Sequence, residues 1–332
     1  MTTGGSDEGG FEELGETRTF SLELKPLSTQ AMTRIPEIRI YAEHGALVAR
    51  EGLSICFYMR RSHVESAQAV IRSLETYVRA VGPQALGWYV DQEGDWQELD
   101  TTGWAHIWSE LHERSGPIVE LSDTPSGASQ YEFEYYGKPL EAPLFVKNPD
   151  AVSAVSFWLP SEYLEKHGPT YVRELALELA APLPFNSGHA GLAINAMMQL
   201  LGISEQLRPW CFRYPGMDVQ ILANDSEEVG TRVRGAHWLT FLGQPVLGEL
   251  GGAAGLRSRL SSPDIAVQEM DGERAVITLG PCPEAGDTEQ GQHLPLHREL
   301  ARVLEPWRHQ ERYRWHEFSA EDMRRWVRRF LD

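Results

Sequence analysis

Residues 151–182, AVSAVSFWLPSEYLEKHGPTYVRELALELAAP, decide the fold class. Val155, Phe157 and Leu159 alternate with Ser156 and Trp158, a period of two that describes a strand. Pro160 ends it, because proline has no N–H to give to a ladder. Beyond it Leu164, Tyr171, Val172, Leu175, Ala176 and Leu179 fall largely on one helical face, with Glu165, Arg173, Glu174 and Glu178 elsewhere. Pro182 and Pro184 stop the helix. The stretch is a strand followed by a helix.

The same unit recurs on both sides. Upstream, Gly52–Arg60 (GLSICFYMR) is a strand, and a helix follows over 64–81 with Val64, Ala67, Ile71, Leu74, Val78 and Val81 as its stripe. Gly82-Pro83 terminates it. Downstream, Arg274–Gly280 (RAVITLG) leads through a Pro/Gly-rich acidic loop to a helix from Leu294 to Trp307. A short strand at 38–42 precedes the first unit, and others at 86–90, 118–121 and 131–136 lie between the first and second. Thr101 or Thr102 would cap a helix through Leu111. Residues 192–201 return to the core as strand or helix, residues 205–252 read as loops around short elements, and 313–318 alternates like an edge strand. Ser319–Asp322 fits a capping box, and the helix it opens sets Met323, Trp326, Val327, Phe330 and Leu331 against a solvated face of Arg324, Arg325, Arg328 and Arg329. The expected fold is α+β, a mainly antiparallel or mixed sheet with helices packed on it. Residues 1–17, acidic and Gly-rich, read as a disordered lead-in, and 19–24 as a strand. The remainder, 18–332, is expected as one large domain or as halves 18–145 and 146–332 meeting at a Pro-rich seam.

Composition narrows the function. The chain has 332 residues and a net charge of −18. Residues 85–150 hold 13 Asp and Glu against 3 Lys and Arg. Such a surface repels nucleic acid and anionic membrane, and speeds encounter with a basic partner. No stretch approaches the ~20 apolar residues of a membrane helix. The N-terminus lacks the basic-then-apolar pattern of a secretory signal. Cys56, Cys211 and Cys282 are widely spaced without C-x-x-C, which points to a reducing cytoplasm.

Catalytic patterns are weak. His293 and His297 are separated by Pro295 and lack H-E-x-x-H, and no glycine-rich phosphate loop occurs. The expectation is no cofactor, no metal and no catalytic residue. An alternative enzymatic site would lie at Ser187, His189, Cys211 and His237, in the loop 185–191 and its neighbours. Against it, Cys211 sits among aromatics in PWCFRY, the setting of a buried small hydrophobe, and Ser187 lacks the G-x-S-x-G elbow.

Four segments carry a resemblance: GLSICFYMRRSHVESAQAVIRSLETYVRAVG, AVSFWLPSEYLEKHGPTYVRELALELAAPLPFNSGHAGLAIN, RYPGMDV and GTRVRGAHWLTFLGQPVLGELGG. Together they resemble, from about residue 35 onward, the TsiV-type family of bacterial type VI secretion immunity proteins, with paralogues in myxobacteria. The resemblance implies a cytoplasmic, non-enzymatic protein that binds and neutralises a cognate antibacterial toxin, of the VRR-Nuc nuclease type in the members that name the family. Nuclease surfaces are basic, so charge favours Asp91, Glu93, Asp95, Glu98 and Asp100 as toxin contacts, with Trp96 as an apolar anchor. A non-catalytic adaptor is the remaining alternative.

Overall fold

The computed structural model describes Met1 and residues 35–332; the expected lead-in at 1–17 and strand at 19–24 lie outside them. The first described strands are β1 (Arg39–Tyr41) and the 13-residue β2 (Leu47–Met59), followed by helix α1 (His63–Val81). Ser62 and Glu65 form a capping box at the start of α1, and Gly82 caps its end. Next come β3 (Trp88–Val90), β4 (Trp96–Glu98), α2 (Thr101–Glu113), β5 (Ile118–Ser122), β6 (Glu132–Tyr136) and the single turn α3 (Pro143–Val146). Then β7 (Ser153–Pro160) and α4 (Ser161–Ala180) repeat the strand–helix unit. Beyond β8 (Ser187–Ala196) lie α5 (Ile203–Arg213), α6 (Leu222–Glu228), β9 (Leu239–Leu242), α7 (Val246–Glu249) and α8 (Gly252–Ser258). The third unit is β11 (Ala275–Leu279) and α9 (Pro295–Leu304), preceded by β10 (Ile265–Glu269); α10 (Ala320–Val327) comes last.

The eleven strands of the described residues join one sheet in the order β10-β11-β9-β8-β2-β7-β6-β5-β3-β4, with β1 on β2. Every ladder is antiparallel. This is the α+β class expected from the three strand–helix units, two of which supply the central pair β2 and β7.

The two faces of the sheet differ in chemistry because side chains alternate along each strand. One face carries Leu53, Ile55, Phe57 and Met59 of β2 and Val155, Phe157 and Leu159 of β7, packed in one core with Val70, Leu74 and Tyr77 of α1 and Leu175, Ala176 and Leu179 of α4. Truncating one of the fully buried phenylalanines there to alanine would cost ~3–5 kcal/mol. The opposite face carries Cys56, Tyr58, Ser156, Ser187, His189 and Thr240. Register aligns Cys56 with both Ser156 and His189, and His189 with Thr240. That face is buried too, beneath Leu222 and Val229 from the α6 region. A polar row under a lid must find internal partners, and Cys56, Tyr58, Ser156, Ser187 and Thr240 do, while the ring nitrogens of His189 make no hydrogen bond.

Several local expectations give way. α4 is broken at Gly168, which adopts φ +80° before Pro169, so the proposed single helix is two; proline denies the preceding residue the helical region. Val64 and Tyr171, expected in the stripes, are exposed. The capping residue of α2 is Asp100, not Thr101 or Thr102. Residues 313–318 form no strand. Trp315 and Phe318 point inward instead, Trp315 against Phe318 and Trp326, while Tyr313 is exposed. Residues 187–191 belong to β8 and not to a loop.

Candidate functional site

The acidic residues singled out from the sequence lie at one end of the sheet, where β3 and β4 form a hairpin and β4 is the edge strand. Asp91 builds the turn. Its Oδ1 accepts from the backbone N–H of Glu93 and of Asp95, each at 3.0 Å, and its Oδ2 accepts from Nε2 of Gln97 at 2.8 Å. The Asp95 N–H, then Gln97, hold this carboxyl below its ordinary pKa. Asp100 caps α2 by accepting from the N–H groups of Thr102 and Gly103, at 2.8 and 2.9 Å. These two acids thus anchor the hairpin and the following helix. Glu93, Asp95, Trp96 and Glu98 are exposed along the hairpin. Beside them runs an open groove of about 450 Å³ lined by Asp91, Glu93, His106, Glu110, Arg114 and Glu120.

The alternative site breaks up. Ser187 donates its hydroxyl hydrogen bond to the carbonyl of Arg232 at 2.6 Å. Cys211 lies buried on α5, where burial pushes its thiol up to about 12. His189 and His237 do meet, their rings stacked with centroids 4.1 Å apart. Both are buried, and the space beside His237 measures only about 20 Å³. That is room for about one water, not for a substrate.

What the two histidines meet over is Asp218, a residue of the RYPGMDV stretch that sequence reasoning did not single out. Nε2 of His237 donates to its Oδ2 at 3.2 Å, and Nε2 of His189 lies 3.7 Å from the same oxygen. Arg234 reaches Asp218 at 3.3 Å, and Arg329, from the segment after α10, reaches it at 3.1 Å. Burial alone would raise this carboxyl; Arg234, His237 and Arg329 outweigh it and hold the group well below its usual range. Burial and the neighbouring His237 hold His189 far below the ordinary histidine value, so it stays neutral. Arg234 also forks onto Asp225, with both contacts at 2.6 Å, while Tyr58 donates to Asp225 at 2.9 Å. The result is a buried alternation of two acids and two arginines under the polar face of the sheet. Arg329 had been expected on a solvated face; its side chain is only 14% exposed.

Next to this network stands a second buried group, Asp225, Glu228 and His309, whose ligating atoms all lie within 4.8 Å of one another. His189, Asp218 and His237 share that property. A dication at Asp218, however, would face two guanidiniums already bound to the same carboxylate. Sequence spacing had no means of showing either cluster, since each joins segments far apart in the chain.

Among the described residues, no helix is long and apolar enough to cross a membrane. A comparison with curated proteins finds no match. Among solved structures the chain is similar to the Pseudomonas aeruginosa T6SS protein PA0821, with a TM-score of 0.72 at 21% sequence identity, covering 89% of this chain and 87% of that one. At that identity the likeness speaks for the fold. The family model described as TsiV, "Type VI immunity for VRR-NUC", matches residues 69–330. The chain belongs to the TsiV family of type VI immunity proteins.

Proposed function

We propose that this chain neutralises its cognate effector in the cytoplasm by direct binding, without catalysis, and that the effector is a nuclease with a basic surface. The family's own description, immunity for VRR-NUC, supports the target class. The observation that carries the interface is the edge hairpin. Glu93, Asp95 and Glu98 are exposed on a backbone that Asp91 and Asp100 hold from within. Carboxylates on a fixed backbone can mimic the phosphates a nuclease binds, and opposite charge speeds the encounter. Trp96, 37% exposed between them, supplies an apolar anchor. The groove beside the hairpin gives a basic side chain of the effector a place to insert.

The enzymatic alternative loses support from the absence of substrate-sized room at His189 and His237. The experiment is co-expression with a VRR-NUC effector as the candidate partner, scoring survival and co-purification with wild type and with Glu93→Lys/Asp95→Lys/Glu98→Lys. Protection by wild type, lost in the triple variant while that variant stays folded, is the expected outcome. Full protection by the triple variant would remove the hairpin from the interface. A wild type that neither protects nor co-purifies would remove the immunity reading for that pair.

A further inference from the structure

Several buried ring nitrogens, of His189, His237, His297 and His309, lack a hydrogen-bond partner, and that of His309 differs in facing two carboxylates without a guanidinium of their own. Nε2 of His309 is buried and has no hydrogen-bond partner. Its Nδ1–H donates to the carbonyl of Val233 at 3.3 Å, which fixes the tautomer and leaves the Nε2 lone pair aimed inward. It looks onto two carboxylates, Oε1 of Glu228 at 3.8 Å and Oε1 of Glu311 at 4.0 Å. Those separations are too long for hydrogen bonds. Among the described residues, neither carboxylate has an arginine or lysine within ion-pair distance, because Arg234 is committed to Asp218 and Asp225.

We propose that His309, Glu228 and Glu311 form a binding site for a divalent transition-metal ion, zinc being the best fit. An imidazole nitrogen with carboxylate oxygens is a donor set that zinc accepts. Zinc bonds to such ligands run about 2.0–2.2 Å, so tetrahedral neighbours sit about 3.3 Å apart. Moving each of the two carboxylate oxygens about half an ångström closer to Nε2 of His309 brings its distance from the imidazole near that value.

The surroundings are those of a built site. The backbone N–H of Arg312 donates to Oε2 of Glu228 at 2.8 Å, which turns the other oxygen, Oε1, toward His309. The carbonyl of Val233 holds the histidine from behind. Glu311 is 19% exposed and gives an ion its way in. The neighbouring trio His189, His237 and Asp218 lacks the charge balance, since two guanidiniums occupy its only carboxylate. An ion at His309 would tie the segment after α9 to α6 and so clamp the cover of the sheet's polar face.

The test uses the full chain, freed of any histidine tag and stripped with EDTA. Zinc is titrated by calorimetry and by thermal melting, and cobalt is used as a spectroscopic probe. The expected result is one equivalent of zinc, a rise in Tm, and a cobalt spectrum of a nitrogen–oxygen site. Glu228→Gln and Glu311→Gln should each bind at least tenfold more weakly, and His309→Gln should abolish binding. Should His309→Gln fail to fold, Glu311→Gln on the partly exposed rim carries the test alone. Absence of zinc binding at micromolar concentrations would overturn the proposal. So would variants that bind as tightly as wild type, or binding lost in His189→Gln but kept in Glu311→Gln.

Discussion

The guanidinium of Arg329 lies 3.1 Å from Oδ1 of Asp218, a residue 111 positions earlier in the chain. The same arginine stacks on the ring of Trp326, 3.8 Å from its centroid. One side chain thus joins the C-terminal helix to the centre of the buried charge network.

Removing Asp218 should therefore be among the most damaging single changes. Asp218→Asn leaves Arg234 and Arg329 buried with too little opposing charge, and breaking such a set costs ~3–5 kcal/mol. Arg324→Ala, on the exposed side of the same last helix, should cost less than ~0.5 kcal/mol. Urea unfolding of both variants decides the matter, and equal stabilities would show that the buried set contributes little.

Acid should reach the fold through its neutral histidines. His297 is buried against Phe330, and burial, with His237 nearby, pushes its pKa down to about 3. The folded form stays neutral while the unfolded form takes up a proton below about 6.5. Its contribution to stability is thus complete above that value and is lost progressively as the pH falls toward 3. His297→Phe removes the effect. Relative to wild type, the variant should gain about 2–3 kcal/mol between pH 7 and pH 4.5. Parallel stability curves would contradict it.

Contacts made by the edge hairpin should be sensitive to salt. In Glu93→Lys/Asp95→Lys/Glu98→Lys, association with the effector should slow at least about tenfold at low ionic strength and less at 0.5 M salt, roughly where the screening length falls below 5 Å. Asp91→Ala should act differently, by releasing the turn. Amide exchange across residues 91–97 should accelerate in that variant and stay unchanged in the lysine variant.

The central strand admits no side chain at Gly52. A Cβ there would come 2.6 Å from the carbonyl oxygen of Leu159 on β7. Gly52→Ala should cost ~1–3 kcal/mol, because the clash is with backbone in a closed pair. Gly87→Ala, with open space around its Cβ position, is the control. Thermal melts of the two variants should differ clearly.

Much of the architecture was legible because it repeats locally. The alternation at Val155, Phe157 and Leu159, the stripes of α1 and α9, and the capping box at Ser319 all follow from neighbours in sequence. The same local logic misled over 313–318, where Trp315 and Phe318 belong to a loop dipping into the core and Tyr313 stays exposed. The residues proposed for the hairpin were legible as a charge cluster, but not the division of labour within it. That Asp91 and Asp100 work inward while Glu93 and Glu98 face out depends on turn and cap geometry. The buried network was hidden for a different reason. Asp218, Arg234, Arg329, Glu228 and His309 come from segments with no shared period, and a single charge among apolar residues looks the same whether it is solvated or paired.

The pairing of Arg329 with Asp218 also sets an order of events during synthesis. Asp218 and Arg234 exist once about two-thirds of the chain has been made, but the second arginine of the set arrives only with residue 329. Until then the polar face of the sheet lacks one of its counter-charges. A protein whose task is to meet an effector on arrival is therefore fully armed only once residue 329 has been made, and a stall shortly before it should yield a form that protects poorly even though its edge hairpin is intact.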